Sequence, residues 1–179
     1  MERNVEVAVI GAGSAGLAAV SEIRKKTDKF VIINAGPYGT SCARVACMPT
    51  KALIEAANGC HARRLMADLG MEGVDGLKID RKKILDRVKG LRDGFVSGMK
   101  ESTEKLGWTI SGRARIKGPG TIEVGDKTIT AEKIVIAVGS APVFPRPWRK
   151  FGRRILTTDD LFYLDELPDS MAVIGLGPS

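Results

Sequence analysis

The first apolar positions of the chain gather in two short runs, the first interrupted only by Glu6. Val5 to Ile10 is one run and FVIIN, residues 30–34, is the other. Such runs mark strands covered on both faces of a parallel sheet. Between them GAGSAG opens an Ala/Leu/Val/Ile stretch at helical spacing that ends near Lys25 and Lys26. Together these read as a βαβ unit of about thirty residues. MPTKALIEAANGCHARRLMADLG then reads as a helix closed by Gly70. Asp80 is the N-cap of a second long helix, which stops at Gly107. Gly90, Gly94 and Gly98 weaken that helix, and their spacing puts them near one face, where it suits close packing. From Trp108 the period shortens to strands: WTI, RARIK, TIEV and KTIT, with Gly-Pro-Gly at 118–120 and Gly-Asp at 125–126 as turns. KIVIAV is again a buried strand. A Pro-rich basic segment, APVFPRPWRKFGRR, follows, and DDLFYLDELP forms a short helix and a turn. In MAVIGLGPS a strand leads once more into glycines, Gly175 and Gly177.

Composition narrows the classes. Of 179 residues, 44% are hydrophobic and 27% charged, as in ordinary globular chains. No apolar run approaches the roughly 18 residues of a membrane span, and MERNVEVAVIGAG runs straight into a strand without the form of a signal peptide. A cytoplasmic protein with no membrane partner is the expectation. In that compartment disulfides are mostly catalytic or sensing, and three cysteines do not make a disulfide scaffold. The net charge of +7 is scattered and interleaved with acids, and aromatics are only 5%, so stacking platforms for bases are scarce. Solvated helix faces explain the charge, and no nucleic-acid partner is expected.

Gly11, Gly13 and Gly16 form GxGxxG between a strand and a helix, the setting that makes the motif a dinucleotide loop. Gly11 permits the turn, Gly13 lets backbone approach a pyrophosphate, and Gly16 lets the helix pack against the strand. The helix N-terminus then offers free N–H groups to the phosphates. An acid is expected at the end of the second strand to hold the ribose; Asn34 stands there, able to hydrogen-bond but without charge. The fold class is therefore α/β: a Rossmann-like domain with a parallel sheet, a long helical pair and a small antiparallel meander. Its expected extent is 1–145, with a connecting segment at 146–170. Residues 171–179 read as the start of a second dinucleotide-binding unit in a longer protein.

Cys42 and Cys47 lie five positions apart. On a regular helix that is about 7.5 Å along the axis and on different faces, beyond the Cα spacing of about 4.4–6.8 Å that a disulfide spans. A pair here needs a distorted turn, with the regular helix starting near Cys47. Pro49 suits a first helical turn, and the helix start favours the thiolate. Strained bridges are also the more readily reduced, so the spacing favours a working redox pair. A zinc site would need Cys60 and His61 as further ligands, but both lie far along the same predicted helix. No metal is expected; Cys60 reads as a helix-face thiol and His61 as a surface histidine. Two other readings stay open. One is a redox-inert nucleotide-binding or assembly module; the other is an NAD-only dehydrogenase domain, which leaves the cysteines unexplained.

GAGSAGLAA, GTSCARVACMPTK, IVIAVGSAP, TTDDLFYLDELP and VIGLG, in that order, resemble the pyridine nucleotide-disulfide oxidoreductases. That family includes dihydrolipoamide dehydrogenase, glutathione reductase and mercuric reductase, and the combination is most similar to the first. The similarity covers essentially the whole chain, and C-x4-C-x-P-[ST]-K is its most specific part. It implies the FAD-binding domain and the first residues of an NAD(P)-binding domain. Cys47 would lie against the flavin as the charge-transfer thiolate, and Cys42 would exchange with a dithiol or disulfide such as lipoamide. Lys51 would stabilise negative charge near the flavin ring. The resemblance assigns cofactor contacts to Gly11, Gly13, Ser14, Ala15 and Gly16 at the pyrophosphate. Asn34 with Ala35 would sit at the ribose, and Gly39, Thr40 and Ser41 near the phosphates or flavin. Arg113 and Ala114 would border the adenine. Ala137, Val138, Gly139 and Ser140 form the matching strand end, with Val138 in place of the usual Thr. It further implies a homodimer for the full-length protein. The family's second flavin segment, interface domain and His-Glu base are absent from these residues. The expectation is that this fragment binds FAD weakly or not at all and does not turn over.

Overall fold

The computed structural model describes residues 2–175, which fall into two compact units. The first comprises the chain up to Ser41 together with Phe95–Ala141; the second comprises Cys42–Gly94 and the chain from Pro142 on.

The first unit is built on one six-stranded sheet. Its strands are β1 (Glu2–Ile10), β2 (Phe30–Asn34), β3 (Trp108–Ser111), β4 (Ala114–Gly118), β5 (Thr121–Val124) and β6 (Lys127–Ile136), in the spatial order β3-β2-β1-β6-β5-β4. The β3-β2-β1-β6 half is parallel, and β4 and β5 continue it antiparallel. The α/β Rossmann-like class read from the sequence is thus the observed one. Helix α1 (Ser14–Ile23) crosses over between β1 and β2. Val9, Phe30 and Ile32 pack with Val20 of α1 on one face. Ala8, Ile10, Val31 and Ile33 point to the other. That is why both runs are apolar at successive positions, Val7–Ile10 and Phe30–Ile33: alternate residues are buried on opposite sides.

The antiparallel end departs from the sequence expectation. KTIT and KIVIAV are not separate strands but one, β6, which pairs in parallel with β1 on one side and antiparallel with β5 on the other. WTI does not belong to the meander either; it is β3, pairing in parallel with β2. The Ala-Glu at 131–132 that reads as a break is carried through because β1 offers a ladder along the whole length, from Glu2↔Thr128 to Ile10↔Ile136. Ile110 of β3 shares a core cluster with Ile122 and Val124 of β5, so the antiparallel end curls over one face of the parallel end.

The second unit holds α2 (Ser41–Arg44, beginning at its border), α3 (Cys47–Asp68), the first part of α4 (Arg81–Glu104) and α5 (Thr158–Leu161), with 3-10 turns at Val74–Gly76 and Arg146–Arg154. α3 ends as expected at Gly70, whose φ is +82°. The Gly70 N–H donates to Ala67 O and the Met71 N–H to Met66 O, a Schellman closure. Asp80 caps α4, its carboxylate accepting the Lys83 N–H at 2.9 Å, and that bond holds its pKa below the usual carboxylate value. Leu85 and Val88 of α4 are buried. Arg92, buried beside them, donates to the Phe162 carbonyl at 2.5 Å and lies over the Tyr163 ring, fastening residues 162–163 to α4.

Two further expectations changed. Gly90, Gly94 and Gly98 were read as a close-packing stripe, yet a methyl group on any of them would meet nothing within 4 Å. Their spacing is not used for packing among the described residues. Met171–Gly175 forms no strand, and Val173 and Ile174 are exposed. A strand needs a ladder partner, and no described strand pairs with this run. Gly177, the second glycine of that expectation, lies outside the described residues.

Candidate functional site

In the first unit the glycine loop follows β1. Gly11 has φ +108°, and a side chain there would strike the Ala137 carbonyl. Gly16 is equally confined, because a methyl group would collide with the Gly11 carbonyl where α1 starts. These two contacts draw the helix start down onto the strand ends. The Gly11 N–H donates to Ile33 O at 2.7 Å, and the Ala137 N–H donates to Ile10 O at 2.8 Å. Gly13, the N-cap of α1, differs in having open space beside it. It brings no side-chain cap, and no acid occupies the first turn. The loop is therefore a cradle with a positive helix end and room for backbone-to-phosphate contact.

Ser14 and Ala15 lie exposed in that first turn. Asn34 ends β2 and Ala35 follows it, Arg113 lies between β3 and Ala114, the first residue of β4, and Ala137, Val138, Gly139 and Ser140 follow β6. All but Ala114 stand at or just beyond the carboxyl ends of parallel strands, the position where open α/β sheets take ligands. Val138 and Ile136 are apolar side chains left about two-thirds exposed there, at 69% and 63%. Gly39, Thr40 and Ser41 come later, on the approach to α2.

Asn34 does more than its sequence position suggests. It is buried, and its Oδ1 accepts the Ala12 N–H at 3.3 Å while its Nδ2 donates to Gly36 O at 2.9 Å. Its backbone carbonyl accepts the Gly112 N–H at 2.9 Å. One amide thus ties the glycine loop to the turn after β2. A carboxylate, having no donor, could not make both side-chain bonds.

In the second unit the helix is interrupted between the two cysteines, and the regular helix starts at Cys47, where the sequence put it. α2 ends at Arg44, Ala46 takes φ −128° and ψ −106°, and α3 begins at Cys47. Pro49 is buried in the first turn of α3, where its missing N–H leaves no helical bond unmade. Both thiols are free, with Cys42 half-buried and Cys47 exposed. The Cys42 thiol is held above its ordinary pKa, first by the hydrogen bond to the Cys47 side chain, then by burial and by the charge of Cys47. The Cys47 N–H and the positive charge of Lys51 pull it the other way. Cys47 and Lys51 thus both act on the Cys42 thiol. Cys60 is half-buried and His61 exposed, further along α3.

Three features escaped the sequence reading: the Ala12 N–H and the Gly36 carbonyl as partners of Asn34, and Arg44. The Nε of Arg44 is buried, with no hydrogen-bond partner among the described residues. Its placement between the two cysteines was visible, but its burial was not. Among the described residues no helix is long and apolar enough to cross a membrane.

Residues 5–179 match the family model described as pyridine nucleotide-disulphide oxidoreductase. The chain is 31% identical to the chloroplastic dihydrolipoyl dehydrogenase 2 of Arabidopsis thaliana, over 96% of this chain and 31% of that protein. It is 32% identical to the glutathione reductase of a Nostoc species, over 99% of this chain and 38% of that one. Among solved structures, the copper(II) complex of a cysteine mutant of RclA, the HOCl-induced flavoprotein disulfide reductase of Escherichia coli, superposes with a TM-score of 0.73. At 21% identity, over 93% of this chain and 36% of that one, it bears on the fold alone. The chain thus spans about a third of the length of the curated relatives it matches. With the family model covering almost every residue of the chain, the glycine loop and the cysteine segment included, the chain belongs to the pyridine nucleotide-disulphide oxidoreductase family.

Proposed function

We propose that this chain is the FAD-binding and disulfide-bearing part of a flavoprotein disulfide oxidoreductase of the dihydrolipoamide dehydrogenase type. The observation that carries the reading is the hydrogen-bonded pair of Cys42 in α2 and Cys47 at the start of α3, with Lys51 one turn on. The residues of the first unit suit FAD: an uncapped helix start, open space at Gly13, and exposed apolar side chains at Ile136 and Val138. Gly11, Gly13, Ser14, Ala15 and Gly16 would hold the pyrophosphate. Asn34 would keep the loop in shape at the ribose end, and Arg113 would border the adenine. When bound, FAD supplies two-electron exchange between the cysteine pair and NAD(P).

The chain's own residues carry the thiol chemistry. A thiolate of the pair attacks a substrate disulfide; one substrate thiolate leaves and a mixed disulfide forms. The second cysteine then displaces the other substrate thiolate and closes the Cys42–Cys47 bridge. The substrate gains two electrons and two protons, and the pair loses them; dithiol oxidation is the reverse. We assign Cys42 to the substrate and Cys47 to the flavin. Lys51 stabilises negative charge beside them. The whole protein would be a homodimer, with a dithiol or disulfide such as lipoamide as substrate. A second domain, beginning near residue 171, would bind NAD(P). This chain alone would bind FAD weakly and not turn over.

The test is anaerobic NADH titration of the full-length protein. A long-wavelength charge-transfer band that disappears in Cys47→Ser is the expected result. A flavin-loaded protein without that band would sink the redox reading. A yellow, flavin-bearing chain after desalting would refute weak binding by the fragment.

A further inference from the structure

We propose that the 3-10 segment Arg146–Arg154 is a docking surface for an acidic stretch of a partner protein, bound in extended form with carboxylates at alternate positions. Five cations, Arg146, Arg149, Lys150, Arg153 and Arg154, stand in these nine residues with no acid among them. The net charge of the chain is +7, so most of it is gathered here rather than scattered. No acid occurs between Glu132 and Asp159. All five residues are exposed, and none makes an ion pair among the described residues. The cations of α4 differ, with Lys82 paired to Asp86 and Lys100 to Glu104 one turn on. Like charges gathered without counter-charges repel one another, and an anionic partner relieves that repulsion.

The local conformation sets these cations in order. Arg146 to Phe151 run as a 3-10 helix up to the kink at Gly152, whose φ is +55°. Residues three apart eclipse in such a helix, so Arg146 and Arg149 share one row and Trp148 and Phe151 another. The rise between Arg146 and Arg149 is about 6 Å, close to the roughly 6.6 Å between alternate side chains of an extended strand. Guanidinium groups take carboxylates through two parallel hydrogen bonds. Pro145 and Pro147 fix φ on either side of Arg146, which limits the freedom lost on binding. The aromatic row is engaged: Trp148 is half-buried, and Lys150 Nζ lies over the Phe151 ring, 5.1 Å from its centre. A lipid surface takes up free apolar rings, and a nucleic-acid strand stacks on them. An acidic peptide needs only the cations.

The experiment measures binding to the full-length protein by fluorescence anisotropy. The probe is a dye-labelled peptide of alternating glutamate and serine, and its glutamine counterpart is the neutral control. The acidic peptide binds and the neutral one does not. Replacing both arginines of the row, Arg146→Gln with Arg149→Gln, weakens binding about three- to tenfold. Lys25→Gln with Lys26→Gln removes the same charge at another exposed place and leaves binding within about twofold. Equal loss in the two double variants overturns the proposal, because it would make the attraction one of net charge alone. So does the absence of any preference for the acidic peptide. Tighter binding of an oligothymidylate or of anionic lipid vesicles overturns it in favour of that partner. If the Arg146, Arg149 variant does not fold, the wild type decides: binding must be lost at about 1 M salt, and binding that survives overturns the proposal.

Discussion

Asn34→Asp tests whether the amide is what holds the loop. The substitution is nearly isosteric and installs the charge expected at a ribose-binding position. The introduced carboxylate keeps the bond from the Ala12 N–H but loses the 2.9 Å bond to the Gly36 carbonyl, which it now faces oxygen to oxygen. Losing that bond costs about 1 kcal/mol, and leaving a charged oxygen opposite a carbonyl in a buried place adds about 1 kcal/mol more. The sum of about 2 kcal/mol corresponds to a rise of about 1.5 units in the folded pKa of the new carboxyl, at 1.36 kcal/mol per unit. The sign follows from that rise. Below the unfolded pKa of about 3.9 the carboxyl is protonated in both states, can donate to Gly36, and the deficit is small. As pH climbs through the raised folded value, stability is lost. Urea unfolding followed by circular dichroism at pH 7 and at about pH 3.5 reads both ends. A variant as stable as the parent at pH 7, or a deficit independent of pH, would refute the reasoning.

Two other outcomes follow from the same geometry. Gly16→Ala drives a methyl group into the Gly11 carbonyl, and overpacking of that kind costs about 1–3 kcal/mol. Thermal unfolding should show the loss, while Ala18→Gly, at an exposed position of the same helix, lowers stability by about 1 kcal/mol or less, through propensity alone. Cys47→Ala removes the hydrogen bond, the largest cause that raises the Cys42 thiol, and the charge; burial still raises it, while the residue 47 N–H and Lys51 still lower it. The pH profile of Cys42 alkylation by iodoacetamide should therefore shift to lower pH; a shift upward, or none, would mean that the two thiols are not coupled.

Read residue by residue, the sequence reached further into the site than into the sheet. β1, the glycine loop, α1 and β2 were readable because each depends on a period or a turn residue within a few positions. The break between α2 and α3 was readable because helical geometry forbids a bridge at five-residue spacing. β6 was not, since a ten-residue strand with charged residues in its middle is justified only by β1 beside it. Gly90, Gly94 and Gly98 misled for the complementary reason. A spacing places residues on a face but says nothing about what stands opposite that face.

The sequence by itself determined the βαβ unit, the phosphate-type loop and the cysteine pair at a helix start, because local sterics and periodicity set them. Only the tertiary structure decided that Asn34 is a buried clamp between two turns and that β6 is one strand serving both halves of the sheet. It alone showed Arg44 Nε buried without a partner among the described residues. Each of these depends on groups distant in the chain or on exclusion of solvent, and no window of residues carries either.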